Sequence, residues 1–470
     1  MNVPHFAKLT PDDTAFFRQT CGDEYVSVDA DDLKTYGSDE TEDLNFPPEV
    51  IVKPSTTQQV AEIMRYCNDR RLPVTPRGGG TGLSGGALPV FGGVCLSTEK
   101  MNEILEIDSD NLMAIVQPGV VTQTLQEKVE QVGLFYPPDP ASRGSCFIGG
   151  NLAENAGGPR ALKYGVTKDY VLGLTAVLPT GEIITPGGKL LKNVSGYNLT
   201  QLLIGSEGTL AVITEIILKL IPDPKYRKTL LVPFGDLEQA AVALTKIFFA
   251  RITPCAAEFM ERSAIKAAED KFEKSYPHSD AAAQLLLEVD GNDEELLDSQ
   301  CETIAQVCGD CGAIDVLIAD NLARQNEIWE MRRGVGEAVK SICPYKEEDT
   351  VVPRAQLPKL VRLIREISQR HNITTIFYGH AGDGNIHVNI LKKDLTDEEW
   401  QNRLPRVITE LFQRVVELGG TISGEHGIGW VQKRYLPLAL GPAELKLMRK
   451  IKAVFDPNGI LNPGKLIPDA

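Results

Sequence analysis

Residues 76–86 read Pro-Arg-Gly-Gly-Gly-Thr-Gly-Leu-Ser-Gly-Gly, and six of the nine positions from Gly78 to Gly86 are glycine. So few side chains cannot hold a helix or strand together, but they let backbone N–H groups converge on a bound anion. Thr81 and Ser84 add hydroxyl donors, and Arg77 adds a fixed positive charge at the edge. A flexible surface loop would have the same composition. The flanks favour the cradle, because residues 72–75 and 94–97 both read as short strands that tether the loop at each end. A phosphate or pyrophosphate is the expected guest.

The chain has 470 residues, too many for one ordinary core, so two or three domains are expected. An apolar fraction of 42% with 24% charged residues belongs to a soluble globular protein. No segment approaches the roughly 18 uninterrupted apolar residues of a membrane helix. Residues 1–8 lack the basic-then-apolar pattern of a signal peptide, which makes the cytoplasm the expected location. A net charge of −16 argues against nucleic acid as a partner. Nine cysteines without a secretory signal imply free thiols. The close pair Cys308 and Cys311 has no second pair to complete a zinc or cluster site and reads as structural.

From about residue 48 to 222 the pattern alternates short strands, helices and glycine-rich turns. Ser55 and Gln58 suggest a capping box, and Val60, Ile63, Met64 and Cys67 then recur at helical spacing. A strand at 114–116 leads through Pro118-Gly119 into another helix. Residues 170–184 read as a β-hairpin around Thr180-Gly181, and 208–214 as a further strand. Pro222-Asp223-Pro224 marks a domain boundary. Beyond it, helices are expected at 237–250, 292–307 and 358–371, and strands at 284–289, 374–378 and 386–391. A tail helix at 442–455 has proline in its first turn. The expected divisions are an N-terminal helical segment (1–47), an α+β cofactor domain (48–222), a second α+β domain (223–420) and a C-terminal segment (421–470).

A second glycine cluster, 148–160, contains Gly149, Gly150, Asn155, Gly157 and Gly158, and its small residues allow close approach to a flat ring. Together with a third turn at 205–213, the clusters suggest one large nucleotide cofactor. None has the strand-to-helix G-x-G-x-x-G arrangement of a Rossmann site. Of only six histidines, three fall in Gly379-His380-Ala381-Gly382-Asp383-Gly384-Asn385-Ile386-His387-Val388-Asn389 and Gly424-Glu425-His426-Gly427. His387 and Asn389 share one face of a strand, and the turn before them can fold His380 back towards His387. Two imidazoles and a carboxylate are a common divalent-metal set with positions left for substrate, and a further histidine can serve as a base. Arg332, expected near the start of a helix, is either a solvated surface residue or a bidentate partner for a carboxylate. The second choice applies less to Arg333.

On these motifs the chain resembles the FAD-linked oxidases of the vanillyl-alcohol oxidase/PCMH superfamily. The resemblance is closest to the branch of D-lactate dehydrogenase, D-2-hydroxyglutarate dehydrogenase and the glycolate oxidase D-subunit, and it covers about residues 48–468. It implies a two-part PCMH-type FAD-binding domain, an α+β substrate cap and a C-terminal helical return. Arg77, Gly78, Gly79, Gly80, Thr81, Gly82 and Leu83 would hold the pyrophosphate. Pro118, Gly119, Ser142, Gly149, Gly150, Asn155, Gly157, Gly158, Ile213 and Asn462 would line the rest of the cofactor. No histidine lies near the glycine loop, so the FAD is expected to be noncovalent. His380, His387 and Glu425 fall on the family's metal ligands (zinc or manganese), Asn389 on a substrate or metal-shell position, His426 on the catalytic base and Arg332 on the carboxylate clamp. The acidic Glu347-Glu348-Asp349 departs from members with a basic residue there, with Lys346 nearby. This favours a monocarboxylate over 2-hydroxyglutarate.

The expected reaction is oxidation of a D-2-hydroxy acid to a 2-oxo acid. The substrate is held by Arg332 and the metal, its hydroxyl proton is taken by His426, and its hydride goes to the flavin. The sequence does not identify the electron acceptor; a quinone, an electron-transfer flavoprotein and an iron–sulfur subunit are the candidates, and such a partner could bring the protein to the membrane periphery. A homodimer is left open. Three alternatives share these residues: the flavin subunit of a multicomponent glycolate oxidase, a metal-dependent hydrolase and a noncatalytic nucleotide-binding module.

Overall fold

Short β-branched runs separated by glycine-rich turns build the first half of the chain into a four-stranded, a five-stranded and a two-stranded sheet. The computed structural model describes residues 6–319 and 321–469. Residues 1–5 of the expected N-terminal segment lie outside the described residues, as do Asp320 and Ala470. The chain divides into one unit of residues 1–157, 166–223 and 425–470, and another of 158–165 and 224–424.

In the first unit, a four-stranded sheet has the order Val26–Ser27, Val50–Val52, Val94–Ser97, Val74–Arg77. Its last three strands are parallel. The helix Thr57–Arg70 buries Val60, Ile63, Met64 and Cys67 against it, as the helical spacing demands. The cap differs from expectation by one residue. Thr56 accepts from Gln59 N–H, while Ser55 donates to the Gln59 side chain. The Val74–Arg77 strand begins two residues later than the run at 72–75 suggested.

A five-stranded antiparallel sheet in the same unit has the order Ile104–Asp108, Met113–Val116, Val212–Lys219, Val171–Val177, Ile183–Ile184. The expected hairpin at 170–184 is present, whereas the strand expected at 208–214 is Val212–Lys219. It buries alternate residues, as a strand's period of two requires, and it starts later because Gly205 and Gly208 take the positive φ of a turn. The C-terminal segment returns to this unit. The helix Pro442–Phe455 leads to Leu461, which bridges Val74, and Asn462 N–H donates to Val74 O at 2.7 Å. Lys452 and Asp456 hold that return, with Asp456 accepting from the N–H groups of Ile460 and Leu461.

The second unit is a seven-stranded antiparallel sheet in the order Leu317–Ala319, Tyr226–Phe234, Ala283–Gly291, Ala256–Glu261, Thr374–Gly379, Asn385–Leu391, Tyr345–Val351. The helices Arg262–Phe272 and Leu322–Lys340 cover one face, packing Ala264, Ile265, Trp329, Met331 and Val335 on Leu231, Met260, Leu286 and Ile376. The helices expected at 292–307 and 358–371 appear as Glu294–Asp310 and Leu357–His371. Cys308 and Cys311 sit buried at the C-terminal end of Glu294–Asp310. All nine cysteines are free thiols. Among the described residues no helix is long and apolar enough to cross a membrane.

Candidate flavin cradle and substrate site

The three glycine clusters converge inside the first unit. A Cβ placed on Gly78 would lie 3.6 Å from Gly150 N, so the two backbones face one another with no side chain between. The second cluster is part helix. Residues Ile148–Glu154 form a short helix ended by Asn155 in the left-handed conformation. Pro118 O accepts from Gly149 N–H at 2.8 Å, and Ser142 O accepts from Ser145 and Cys146, which places Ser145 O against Gly79. Gly205 N–H donates to Leu152 O and Glu207 N–H to Ala153 O, tying the third turn to the second cluster. Ile213 lies in the strand that this third turn leads into.

Ideal Cβ atoms at Gly82 and Gly150 meet nothing within 4 Å. That is a cradle a cofactor could fill. Arg77 lies over the Tyr36 ring at 5.2 Å and donates to Tyr36 O, which fixes its guanidinium beside Gly80. Two of the expected ligands are partly committed elsewhere. Asn155 Oδ1 accepts from Lys168 N–H, and Asn462 Nδ2 donates to the carbonyls of Gly86 and Glu207. Asn462 therefore staples the first glycine loop to the third. Gly157 closes the first unit's segment, and Gly158 begins the short stretch that belongs to the second.

The same loop carries the segment with Glu425 and His426. Ser84 O accepts from the N–H groups of Trp430 and Val431, and Glu207 accepts from Ile428 and Gly429 at 2.7 and 2.6 Å. Gly427 has φ +82°, and a Cβ there would fall 2.0 Å from Glu154 Oε2. Burial and the neighbouring Glu207 push the Glu154 carboxyl well above its ordinary value. Glu207 and Glu154 were missed by sequence reasoning.

In the second unit, strand register assembles a polar face. His387 stands opposite Tyr378 and Asp349, while Asn389 stands opposite Ile376 and Glu347. Directly opposed residues share a face, so these side chains lie on the side covered by Leu322–Lys340. His380 follows the Thr374–Gly379 strand in a turn closed by Asn385 N–H to His380 O, and its ring centroid lies 5.3 Å from that of His387. Lys346 pairs with Ile390 and points to the opposite face from Glu347.

Arg332 is not at a helix start. It sits in the middle of Leu322–Lys340, on the buried face with Ile328, Trp329 and Val335. Its guanidinium lies over Tyr378 at 5.2 Å, and its Nη2 is 2.5 Å from Glu258 Oε2. Arg333 is exposed and packs over Trp329. The Glu258 carboxylate also meets His380 Nδ1 at 2.8 and 2.9 Å. Burial alone would raise the Glu258 carboxyl, but Arg332 and His380 outweigh it and hold the group below its ordinary value. Arg332 Nε is buried without a hydrogen-bond partner among the described residues. Such groups are costly to bury unless a ligand satisfies them. Sequence reasoning missed Glu258, although an acid inside Ala-Ala-Glu-Phe-Met is itself a sign of a buried charged partner.

The first unit thus presents a glycine-lined cradle, and the second a buried polar face around Arg332 and Glu258. The chain belongs to the FAD-linked oxidases. Residues 48–187 match the FAD binding domain, and residues 223–466 match the C-terminal domain of FAD linked oxidases. It is 42% identical to the glycolate oxidase subunit GlcD of Bacillus subtilis, over 92% of this chain and 91% of that protein. It is 39% identical to a D-lactate dehydrogenase of Anaerostipes hadrus, over 99% of both. The fold is also found in a solved structure of low identity. p-Cresol methylhydroxylase superposes with a TM-score of 0.79 at 18% identity, covering 97% of this chain and 96% of that one.

Proposed function

We propose that this protein is an FAD-dependent D-2-hydroxy acid dehydrogenase of the D-lactate or glycolate type, forming a 2-oxo acid. The observation that carries the reading is the buried face with Arg332, Asn389, His380 and His387, where Arg332 Nε lacks a partner among the described residues. The names of the full-length relatives, a D-lactate dehydrogenase and a glycolate oxidase subunit, support it.

Arg332 holds the substrate carboxylate through its planar fork, and the Asn389 amide orients the neighbouring oxygens. His426 takes the hydroxyl proton, a task suited to an imidazole near neutral pH. As that O–H bond breaks, the Cα–H bond electrons leave as hydride and C=O forms. FAD, held noncovalently by residues Arg77 to Leu83 and Gly149 to Gly157, supplies the two-electron acceptor. His380, His387 and Glu425 would hold a divalent cation, zinc or manganese, which acidifies the substrate alcohol. The carboxylate on His380 Nδ1 fits that role, since metal-bound histidines commonly donate their other N–H to an acid. Glu347 and Asp349, on the same face, disfavour a second substrate carboxylate.

Anaerobic mixing with D-lactate, glycolate and D-2-hydroxyglutarate, with and without chelator, tests this directly. Flavin bleaching by a monocarboxylate, weakened by chelator, is expected. No bleaching by any of the three would sink the reading, and near-normal bleaching in His426→Ala would remove the base assignment. A second reading, the flavin subunit of a multicomponent glycolate oxidase, rests on the similarity to GlcD. The sequence carries no cluster-binding cysteine array, so an iron–sulfur centre would belong to another polypeptide. Co-purification of such a partner distinguishes the two.

A further inference from the structure

We propose that Glu258 is a positioning residue shared by the substrate clamp and the metal-binding imidazole, one buried carboxylate setting both. The inference rests on the roles given above to Arg332 and His380. Glu258 is fully buried in the strand Ala256–Glu261, among Ala257, Phe259 and Met260. A carboxylate is costly to take out of water unless it is paired, and packing alone would be met by an apolar side chain at this position. Three separate elements meet at it: its own strand, the helix Leu322–Lys340 through Arg332 Nη2, and the turn after Thr374–Gly379 through His380 Nδ1.

Each contact has a chemical consequence. An ionised carboxylate only accepts, so His380 Nδ1 is the donor and Nε2 is the nitrogen that would coordinate a cation. Arg332 turns Nη2 towards Glu258 and keeps Nε without a partner among the described residues. Its fork is thus held from one side and retains donors for a substrate carboxylate. Removing Glu258 takes a charged partner from both groups at once.

The test uses the flavin-loaded protein stripped of metal by chelator. Mn²⁺ and Zn²⁺ affinities are measured by titration alongside kcat and KM for D-lactate, with flavin content and thermal midpoint as controls. Glu258→Gln is expected to weaken metal binding about 10–100-fold and to raise KM about tenfold or more. Arg332→Gln is expected to raise KM without weakening the metal. Glu258→Asp, which keeps the charge on a shorter arm, should recover part of both effects. It also carries the same two readouts should the glutamine variant fail to fold. Wild-type metal affinity and KM in Glu258→Gln would overturn the inference. So would losses confined to flavin content and thermal midpoint, which would make Glu258 a core residue only. Unchanged metal affinity in His380→Ala would instead remove the metal assignment itself. That failure is told apart because Glu258→Gln would still raise KM.

Discussion

Gly79 and Gly150 line the same cradle, yet a methyl group would meet different neighbours at each. At Gly79 it would lie 2.5 Å from the Ser145 carbonyl oxygen, a backbone atom that cannot swing away, whereas at Gly150 it meets nothing within 4 Å. Gly150→Ala lies within a helix, where alanine is favoured over glycine by about 1 kcal/mol. It should therefore keep or raise the thermal midpoint while lowering flavin bound per polypeptide. Gly79→Ala should lower both. Full flavin occupancy in Gly150→Ala would place the cofactor elsewhere. Glu261 gives a pH-dependent prediction at the same scale. Burial pushes its carboxyl up to about 7, against the hydrogen bond it accepts from Phe377 N–H. A raised carboxyl pKa means that ionisation opposes folding, so the penalty is absent below the unfolded value of about 4.3 and complete above about 7. Glu261→Gln should gain stability relative to wild type as pH rises through that window, measured by denaturant unfolding at several pH values.

At the scale of elements, Asp13 joins the helix Pro11–Cys21 to the helix Thr57–Arg70. It accepts from Thr10, from Tyr66 Oη at 2.7 Å and from Arg70 Nε at 2.9 Å, beside the stacked rings of Phe16 and Tyr66. Burial opposes ionisation, but Arg70, Thr10 and Tyr66 together hold the carboxyl well below the usual range. A depressed carboxyl pKa stabilises the fold above the unfolded value of about 3.9 and loses that contribution as pH falls. Asp13→Asn should cost about 1–3 kcal/mol at neutral pH, and the deficit should shrink below about pH 4. A deficit independent of pH would mean that packing, not charge, joins the two helices.

For the whole molecule, the residues assigned to the flavin and to the cation are separate sets. The cradle is built from backbone in the glycine clusters, whereas the cation would be held by the side chains of His380, His387 and Glu425. Chelator treatment should therefore abolish most substrate-driven bleaching while flavin absorbance and thermal midpoint stay near their starting values. Release of flavin by chelator would contradict that separation.

The glycine run, the helix-spaced stripe Val60, Ile63, Met64 and Cys67, the hairpin around Gly181 and the tail helix Pro442–Phe455 were legible because each depends on residues near in sequence. His387 and Asn389 could be placed on one face for the same reason, since a strand alternates sides with a period of two. The neighbours of that face could not. Glu258 comes from a strand more than a hundred residues away, Lys346 is turned from the site by register with Ile390, and Arg332 is buried because its helix lies on that sheet. The sequence alone determined the elements, their apolar faces and the residue types able to hold a flavin and a hydroxy acid. Only the tertiary structure decided which charges meet. A buried carboxylate, guanidinium and imidazole gain their pairing energy from neighbours that strand order and register bring together, and no local pattern encodes those neighbours.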